Sequence, residues 1–377
     1  MRDVGGCNVH PAENGTLRGN KRMKVGVNYP WFDYGWDFGV APPSWRGSST
    51  SPRWFANIDQ DLQHLRNLGI SVVRWFVLAD GLTYGTGQYA PRPDPALKGQ
   101  WRFDPPALSA DFLLHYEELL RRFENANKDT KPPIQLIPVL IDFHFCEPGI
   151  RPIQQPSPAN PRRTVSNPDW VKQGRGDAIK DAGKRRRFLD NVFDPLLRAS
   201  KAHHDVIYAW ELVNEPDWIT NGWHQDRQSN HPVDEVSMRA FLDEGKSRIR
   251  SSGFKPTIGF ASIDTLRRSG VTAEINQFHH YPGGVHSLER HTFNPQYPGI
   301  VGEFATAATD TWPELVKTGQ TVLNRLRLAE AQGYPLVIPW SFRASDIHTS
   351  WSLSVENDIQ CFTQKRNCPQ STSPQVS

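Results

Sequence analysis

The stretch Ile207–Trp218 (IYAWELVNEPDW) decides how this chain folds. Its first half is apolar and rich in aromatic residues, which reads as a buried strand. The run stops at Glu215, and Pro216 cannot extend a ladder. The residue before a proline is expected to be extended, so Glu215 is held at a defined exit point. Pro298–Ala305 (PGIVGEFA) repeats the pattern and ends its strand on Glu303. An apolar strand that stops on a glutamate carries a carboxylate out of a buried sheet into a cleft.

Working outward, strand-like runs alternate with longer amphipathic ones. Eight strands are predicted: Lys24–Tyr29, Ser71–Leu78, Gln135–Phe143, Ile207–Leu212, Thr257–Phe260, Ile275–His279, Gly299–Glu303 and Leu336–Trp340. Several are apolar almost throughout, the pattern of strands covered on both faces in a parallel sheet. Helices are predicted over Ile58–Asn67, Ala110–Asn127, Lys184–Ser200, Ser237–Ser251 and Thr311–Gln332, with Gly69 and Gly333 as stops. Such alternation fits a closed α/β barrel or a doubly wound open sheet.

Two observations favour the closed (β/α)8 TIM barrel, as a single domain with long βα loops. No glycine-rich phosphate loop follows strand 1, where Pro30-Trp31-Phe32-Asp33-Tyr34-Gly35-Trp36 stands instead. The chemically suggestive residues also fall at the carboxyl ends of several strands, where barrels place their sites. Long connections over Ala79–Leu108, Cys146–Gly183 and Ile219–Val236 are expected to wall a cleft.

Composition excludes some functions. With 43 basic and 40 acidic side chains the net charge is +3, which gives no reason to invoke nucleic acid or an anionic membrane. The basic run Lys184-Arg185-Arg186-Arg187 is read as a solvated turn. No apolar run approaches 18 residues, and the first 23 residues hold no apolar signal region, so neither a membrane span nor a secretion signal is expected in the chain as written. The four cysteines show no metal-ligand spacing; Cys361 and Cys368 are close enough in sequence to close a small loop. A load of 13 Trp, 9 Tyr and 19 Phe suits flat, partly apolar ligands such as pyranose rings.

The strand ends gather a specific set of side chains. Arg74 lies inside strand 2, where a buried cation needs a carboxylate, and Glu303 is the natural partner, its pKa lowered by the guanidinium. Asp142 and His144 end strand 3, Asn214 precedes Glu215, His279, His280 and Tyr281 end strand 6, and Trp340 ends strand 8 as a floor for a sugar ring. A lone glutamate at a strand end is ordinarily a surface charge, and a lone histidine a satisfied core residue. Their coincidence at one end of six strands points to a site.

In this order Arg74, His144, Asn214-Glu215-Pro216, His279 and Tyr281, Glu303 and Trp340 resemble a retaining glycoside hydrolase of clan A, in the cellulase-like family 5 group. The resemblance spans Val25 to about Phe342. The chain is expected to divide into an N-terminal extension over 1–23, a catalytic (β/α)8 domain over 24–366 and a flexible, Ser/Pro-rich tail over 367–377. The resemblance implies Glu215 as acid/base and Glu303 as nucleophile, supported by Arg74, His144, Asn214, His279, Tyr281 and Trp340. The expected substrate is a β-linked oligo- or polysaccharide, of the β-1,4-glucan or mannan type, taken by a monomer with no cofactor and no metal. Trp31, Trp36, Trp45, Trp218, Trp223 and Trp351 are available as stacking platforms. An exo-acting β-mannosidase or β-glucosidase and a non-catalytic carbohydrate-binding barrel are the alternatives. A metal-dependent hydrolase built on His144, His279 and His280 is a further one.

Overall fold

Eight parallel strands close on themselves in the computed structural model. They are β1 (Lys24–Asn28), β2 (Val72–Phe76), β3 (Gln135–Asp142), β4 (Trp210–Asn214), β5 (Pro256–Phe260), β6 (Ile275–His280), β7 (Gly299–Ala305) and β8 (Leu336–Trp340). Each pairs with its neighbours in sequence, and β1 pairs with both β2 and β8. The expected (β/α)8 barrel is therefore the architecture. The structure describes residues 22–32, 36–40, 52–96, 101–130, 132–147, 153–155, 163–165, 174–223, 231–281, 299–306, 321–343 and 351–365. Most of the expected extension, the whole tail, Cys7, Trp45 and Cys368 lie outside these residues. Within them Cys361 is disulfide-bonded and Cys146 is a buried free thiol.

Besides the single turn Asp177–Lys180, seven helical runs among the described residues pack around the barrel: α1 (Ile58–Asn67), α2 (Ala110–Asn127), α3 (182–202, the consecutive pieces Ala182–Phe188, Leu189–Phe193 and Asp194–Ala202), α4 (Glu235–Ser251), α5 (Ile263–Ser269), α6 (Val322–Ala331) and α7 (Leu353–Gln364). Most start at a side-chain cap: Ser109, Asp234, Ser262, Thr321 and Ser352 each accept a backbone N–H three residues on. In α3 the run passes through a π-helical turn, Leu189–Phe193. Pro195 has no N–H to offer the carbonyl of Asn191, which accepts the Leu108 N–H instead. The basic run opening this helix is not simply a solvated turn, because Arg185 is buried and bonds Glu244. None of the described helices is long and apolar enough to cross a membrane.

Two helices escape the sequence reading. α5 is only seven residues, too short for a helical period to register, and is set by the Ser262–Thr265 capping box. α7 does carry a helical period, with Val355, Ile359 and Phe362 buried along one face, and it is docked by contacts distant in sequence, such as Thr363 Oγ1 to the Leu68 carbonyl at 2.7 Å. β4 also begins later than expected. A 3-10 turn at His204–Val206 leaves Ile207 with only an isolated bridge to Leu136, and the strand runs on to Asn214.

Period-two alternation sorts the barrel strands into inner and outer faces. On β2, Val73 and Trp75 face the helices, whereas Val72, Arg74 and Phe76 point inward at three successive levels. The lowest inner layer is aliphatic, made of Val72, Ile137, Ala209, Ile275, Ile300, Leu336 and Ile338. Above it lies a polar layer holding Arg74, Glu211 and Gln277, all fully buried. The mouth is aromatic, with Phe76 and Trp340 packed edge to face. Alternation thus builds a dry base, a charged middle and an apolar rim.

The ladder shifts register where the candidate residues emerge. Along β7 the partners jump from Phe278↔Val301 to His279↔Glu303 on one side and from Val301↔Val337 to Phe304↔Pro339 on the other, so Gly302 is an extra residue. Such bulges re-aim the next side chain, and here they turn Glu303 inward. The carbonyl of Gly302 accepts from Asn28 Nδ2 at 2.9 Å. Between β4 and β5 a similar shift separates Glu211↔Thr257 from Asn214↔Gly259, just before Glu215.

Candidate active site

Glu215 does not have the extended backbone expected before Pro216. It sits at φ 50°, ψ 53°, in the left-handed region. A non-glycine residue held there costs about 1–3 kcal/mol. The chain leaves β4 at this point and enters a 3-10 turn over Pro216–Trp218, and the Glu215 N–H donates to the Gly259 carbonyl at 2.6 Å. Proline disfavours the right-handed alternative, so the tight turn and the β5 anchor select the left-handed one.

Below the mouth, Arg74 organises the site. Its guanidinium is fully buried and all five N–H groups are used. Nε and Nη2 grip Glu211 at 2.7 and 2.6 Å, Nη1 reaches Glu303 Oε1 at 2.7 Å and Asn28 Oδ1 at 2.8 Å, and Nη2 reaches Asn214 Oδ1 at 2.7 Å. The expected Arg74–Glu303 pair is present. The tighter, two-point partner is Glu211, which sequence reasoning missed. A carboxylate inside the apolar run Trp210–Val213 is as anomalous as Arg74 inside β2, and that symmetry was the available signal.

Asn214 is committed on both sides. With Oδ1 facing Arg74, Nδ2 donates to Asp142 Oδ1 at 2.7 Å, leaving one N–H to meet a ligand. Asp142 in turn has Oδ2 2.9 Å from Nδ1 of His144. Burial would raise the Asp142 pKa, but hydrogen bonds from His144 and Asn214 outweigh it and hold the carboxyl below its usual range.

The two glutamates meet across the mouth. Tyr281 Oη donates to Glu303 Oε2 at 2.7 Å, and His279 Nδ1 stands 2.7 Å from Glu215 Oε1 and 3.5 Å from Glu303 Oε2. One oxygen of each glutamate and a nitrogen of His279 all lie within 4.8 Å of one another. Burial, then the nearby Asp142 charge, pushes Glu215 up to about 8 despite Arg74. His279 is pulled below its usual value by burial, so its ring is neutral at pH 7. The expected lowering of Glu303 is not the net result. Burial and the Glu215 charge raise it, against opposition from His279, Arg74 and Tyr281.

Trp340, Tyr281, His144, Asn214, Glu215 and Glu303 all line one cleft of about 630 Å³. Trp31, Phe76, Phe143 and Trp218 supply the rest of its aromatic wall. Of the proposed platforms, Trp36 and Trp223 are instead buried in the core, and Trp351 packs on Phe342. Asp217, also missed, lines the cleft beneath Glu215; burial and the Glu215 charge push it to about 7. The histidines of the metal-dependent alternative do not converge. His144 sits on Asp142, His279 on Glu215, and His280 is not among the residues lining the cleft. A cation bridging Glu215, His279 and Glu303 would meet the fixed charge of Arg74 beside Glu303.

Chemically, the arrangement offers a protonated carboxylic acid and a carboxylate held by a cation and a phenol, facing each other in an aromatic cleft. No protein-family model and no curated protein matches the sequence. Solved structures do match in fold. An endo-1,4-β-mannanase from Eisenia fetida is 16% identical, with TM-score 0.61 over 92% of each chain. A β-1,4-D-mannanase from Cryptopygus antarcticus is 17% identical, with TM-score 0.60 over 93% of this chain and 92% of the other. An exo-β-1,4-mannosidase from an Opitutaceae bacterium is 14% identical, with TM-score 0.50 over 90% of this chain and 55% of its own. The chain therefore shares the closed barrel of these enzymes across nearly its whole length.

Proposed function

We propose that the chain is a retaining glycoside hydrolase of the family 5 type that cleaves β-1,4-linked glycans, mannan first among them, with Glu215 as acid/base and Glu303 as nucleophile. The observation that carries this is the approach of the two carboxyl groups to within 4.8 Å between their nearest oxygens. Retaining enzymes hold the pair about 5–5.5 Å apart, whereas inverting ones need about 6.5–9.5 Å to admit a water. Mannan is favoured because proteins named as mannanases share this fold over most of both chains.

Glu303 Oε2 attacks the anomeric carbon while protonated Glu215 gives its proton to the departing oxygen; water then releases the glycosyl-enzyme, with Glu215 acting as base. Arg74 and Tyr281 fix the attacking carboxylate, and the remaining N–H of Asn214 faces the sugar 2-hydroxyl as the ring flattens. Trp340 and Phe76 form the apolar floor. Hydrolysis of β-1,4-mannan, β-1,4-glucan and β-1,3-glucan, with product sizes followed over time, tests the assignment. Mixed manno-oligosaccharides are expected, and no release from any β-glycan would overturn it. Release of mannose alone from chain ends would favour the exo-acting alternative, which has a named counterpart of the same fold.

A further inference from the structure

The fully buried Glu211 has no part in the double displacement, yet it is the two-point partner of Arg74 in the barrel interior. It takes two of the five Arg74 N–H groups in a two-point grip at 2.6 and 2.7 Å, and its Oε2 also accepts from Gln277 Nε2 at 2.9 Å. Two strands lack side chains to make room for it. A Cβ at position 259 would stand 2.5 Å from Glu211 Oε1, and one at position 302 would stand 2.5 Å from Gln277 Nε2. Glu303, by contrast, receives a single Arg74 bond.

We propose that Glu211 is a positioning residue that locks the Arg74 guanidinium edge toward Glu303 and takes up most of its charge, so that Glu303 faces a neutralised ion pair rather than a free cation. This rests on Glu303 being the nucleophile. A carboxylate fully matched by a guanidinium would be a weaker nucleophile and a better leaving group, favouring hydrolysis of the glycosyl-enzyme over its formation. With the cation compensated from below, Glu303 keeps the basicity that attack needs. The ionisable groups facing Glu303 are Arg74 from β2, Glu211 and Glu215 from β4 and its exit, and His279 and Tyr281 from β6 and its exit. Asp142 stands behind Asn214 on β3, while Asn28 on β1 and Trp340 on β8 bring no charge.

The test is the pH profile of Glu211→Gln on an oligosaccharide, beside Glu211→Asp and Glu303→Gln. In Glu211→Gln the uncompensated cation is expected to move the acid limb of kcat/KM down by about one pH unit and to lower kcat/KM more than kcat. Glu211→Asp, which restores the charge, should bring the limb back. An unmoved limb in folded Glu211→Gln, with Glu303→Gln inactive, overturns the role of Glu211 and leaves the nucleophile assignment standing. Full activity of Glu303→Gln overturns both. Should Glu211→Gln not fold, infrared titration of the wild type against Glu303→Gln decides. Glu303 is expected to titrate above the usual carboxylate range, and titration within or below that range overturns the proposal.

Discussion

Glu215 and Glu303 bring their nearest carboxylate oxygens within 4.8 Å of each other, although 87 residues separate them in the chain. That gap leaves no room for a water between carboxylate and sugar. The first-formed product should therefore keep the β configuration of the substrate. Proton NMR of the fresh hemiacetal, recorded before mutarotation, checks this; an α product would require the pair to act at a greater separation.

The pH dependence follows from Glu215, which burial and Asp142 push up to about 8. In its proposed role as the acid Glu215 must keep its proton, so kcat/KM should fall above about pH 8. Stability has the same sign. Unfolded, the carboxyl titrates near 4.5, so between about pH 4.5 and 8 the folded chain holds a proton that the unfolded chain has lost. Stability is full below the lower value and declines as pH rises through the upper one. Asp217, raised to about 7, adds to the decline. Thermal melts from pH 5 to 9 should show a falling Tm in the wild type and a flatter curve in Glu215→Gln.

Trp218 is 41% exposed, lines the cleft and packs over Phe143 with ring centroids 6.3 Å apart. It is placed to stack on a sugar away from the reacting carbon. Trp218→Ala should raise KM by about 2- to 10-fold, equivalent to about 0.5–1.5 kcal/mol, with kcat little changed. Steady-state kinetics on a long oligosaccharide measures it. An equal loss in kcat would place the indole at the reacting sugar instead.

Gly259 lies where an added methyl would meet Glu211 Oε1 at 2.5 Å, Gln277 Nε2 at 2.7 Å and His279 Nε2 at 3.0 Å. Because those groups belong to one buried charged layer, they have no free volume to move into. Gly259→Ala should cost about 1–3 kcal/mol, read as a lower urea midpoint, and activity should drop in the protein that remains folded.

The barrel was legible because its signals are local: eight apolar runs and glycine stops. The strand-end residues were legible for the same reason, since Glu215, Glu303, Tyr281 and Trp340 each stand at the carboxyl end of a recognisable strand. What escaped was set by register. Gly302 reads as a small residue leaving the backbone open, but it is the bulge that turns Glu303 inward, and the space its missing side chain leaves is filled by Gln277. Glu211 escaped because nothing near it in sequence says that the strand two places away brings Arg74 to the same level. The left-handed Glu215 likewise reflects an anchor on β5. The direction of the Glu303 pKa depends on burial depth and a second carboxylate, neither visible in one dimension.

The central claim is that Glu303 forms the covalent bond to the sugar. It is tested most directly by reacting the enzyme with a 2-deoxy-2-fluoro-β-mannosyl fluoride, which slows release of the glycosyl-enzyme, and mapping the labelled peptide by mass spectrometry. One sugar equivalent should appear on the peptide carrying Glu303. Label on Glu215, or no label while the enzyme turns over mannan, would contradict the account.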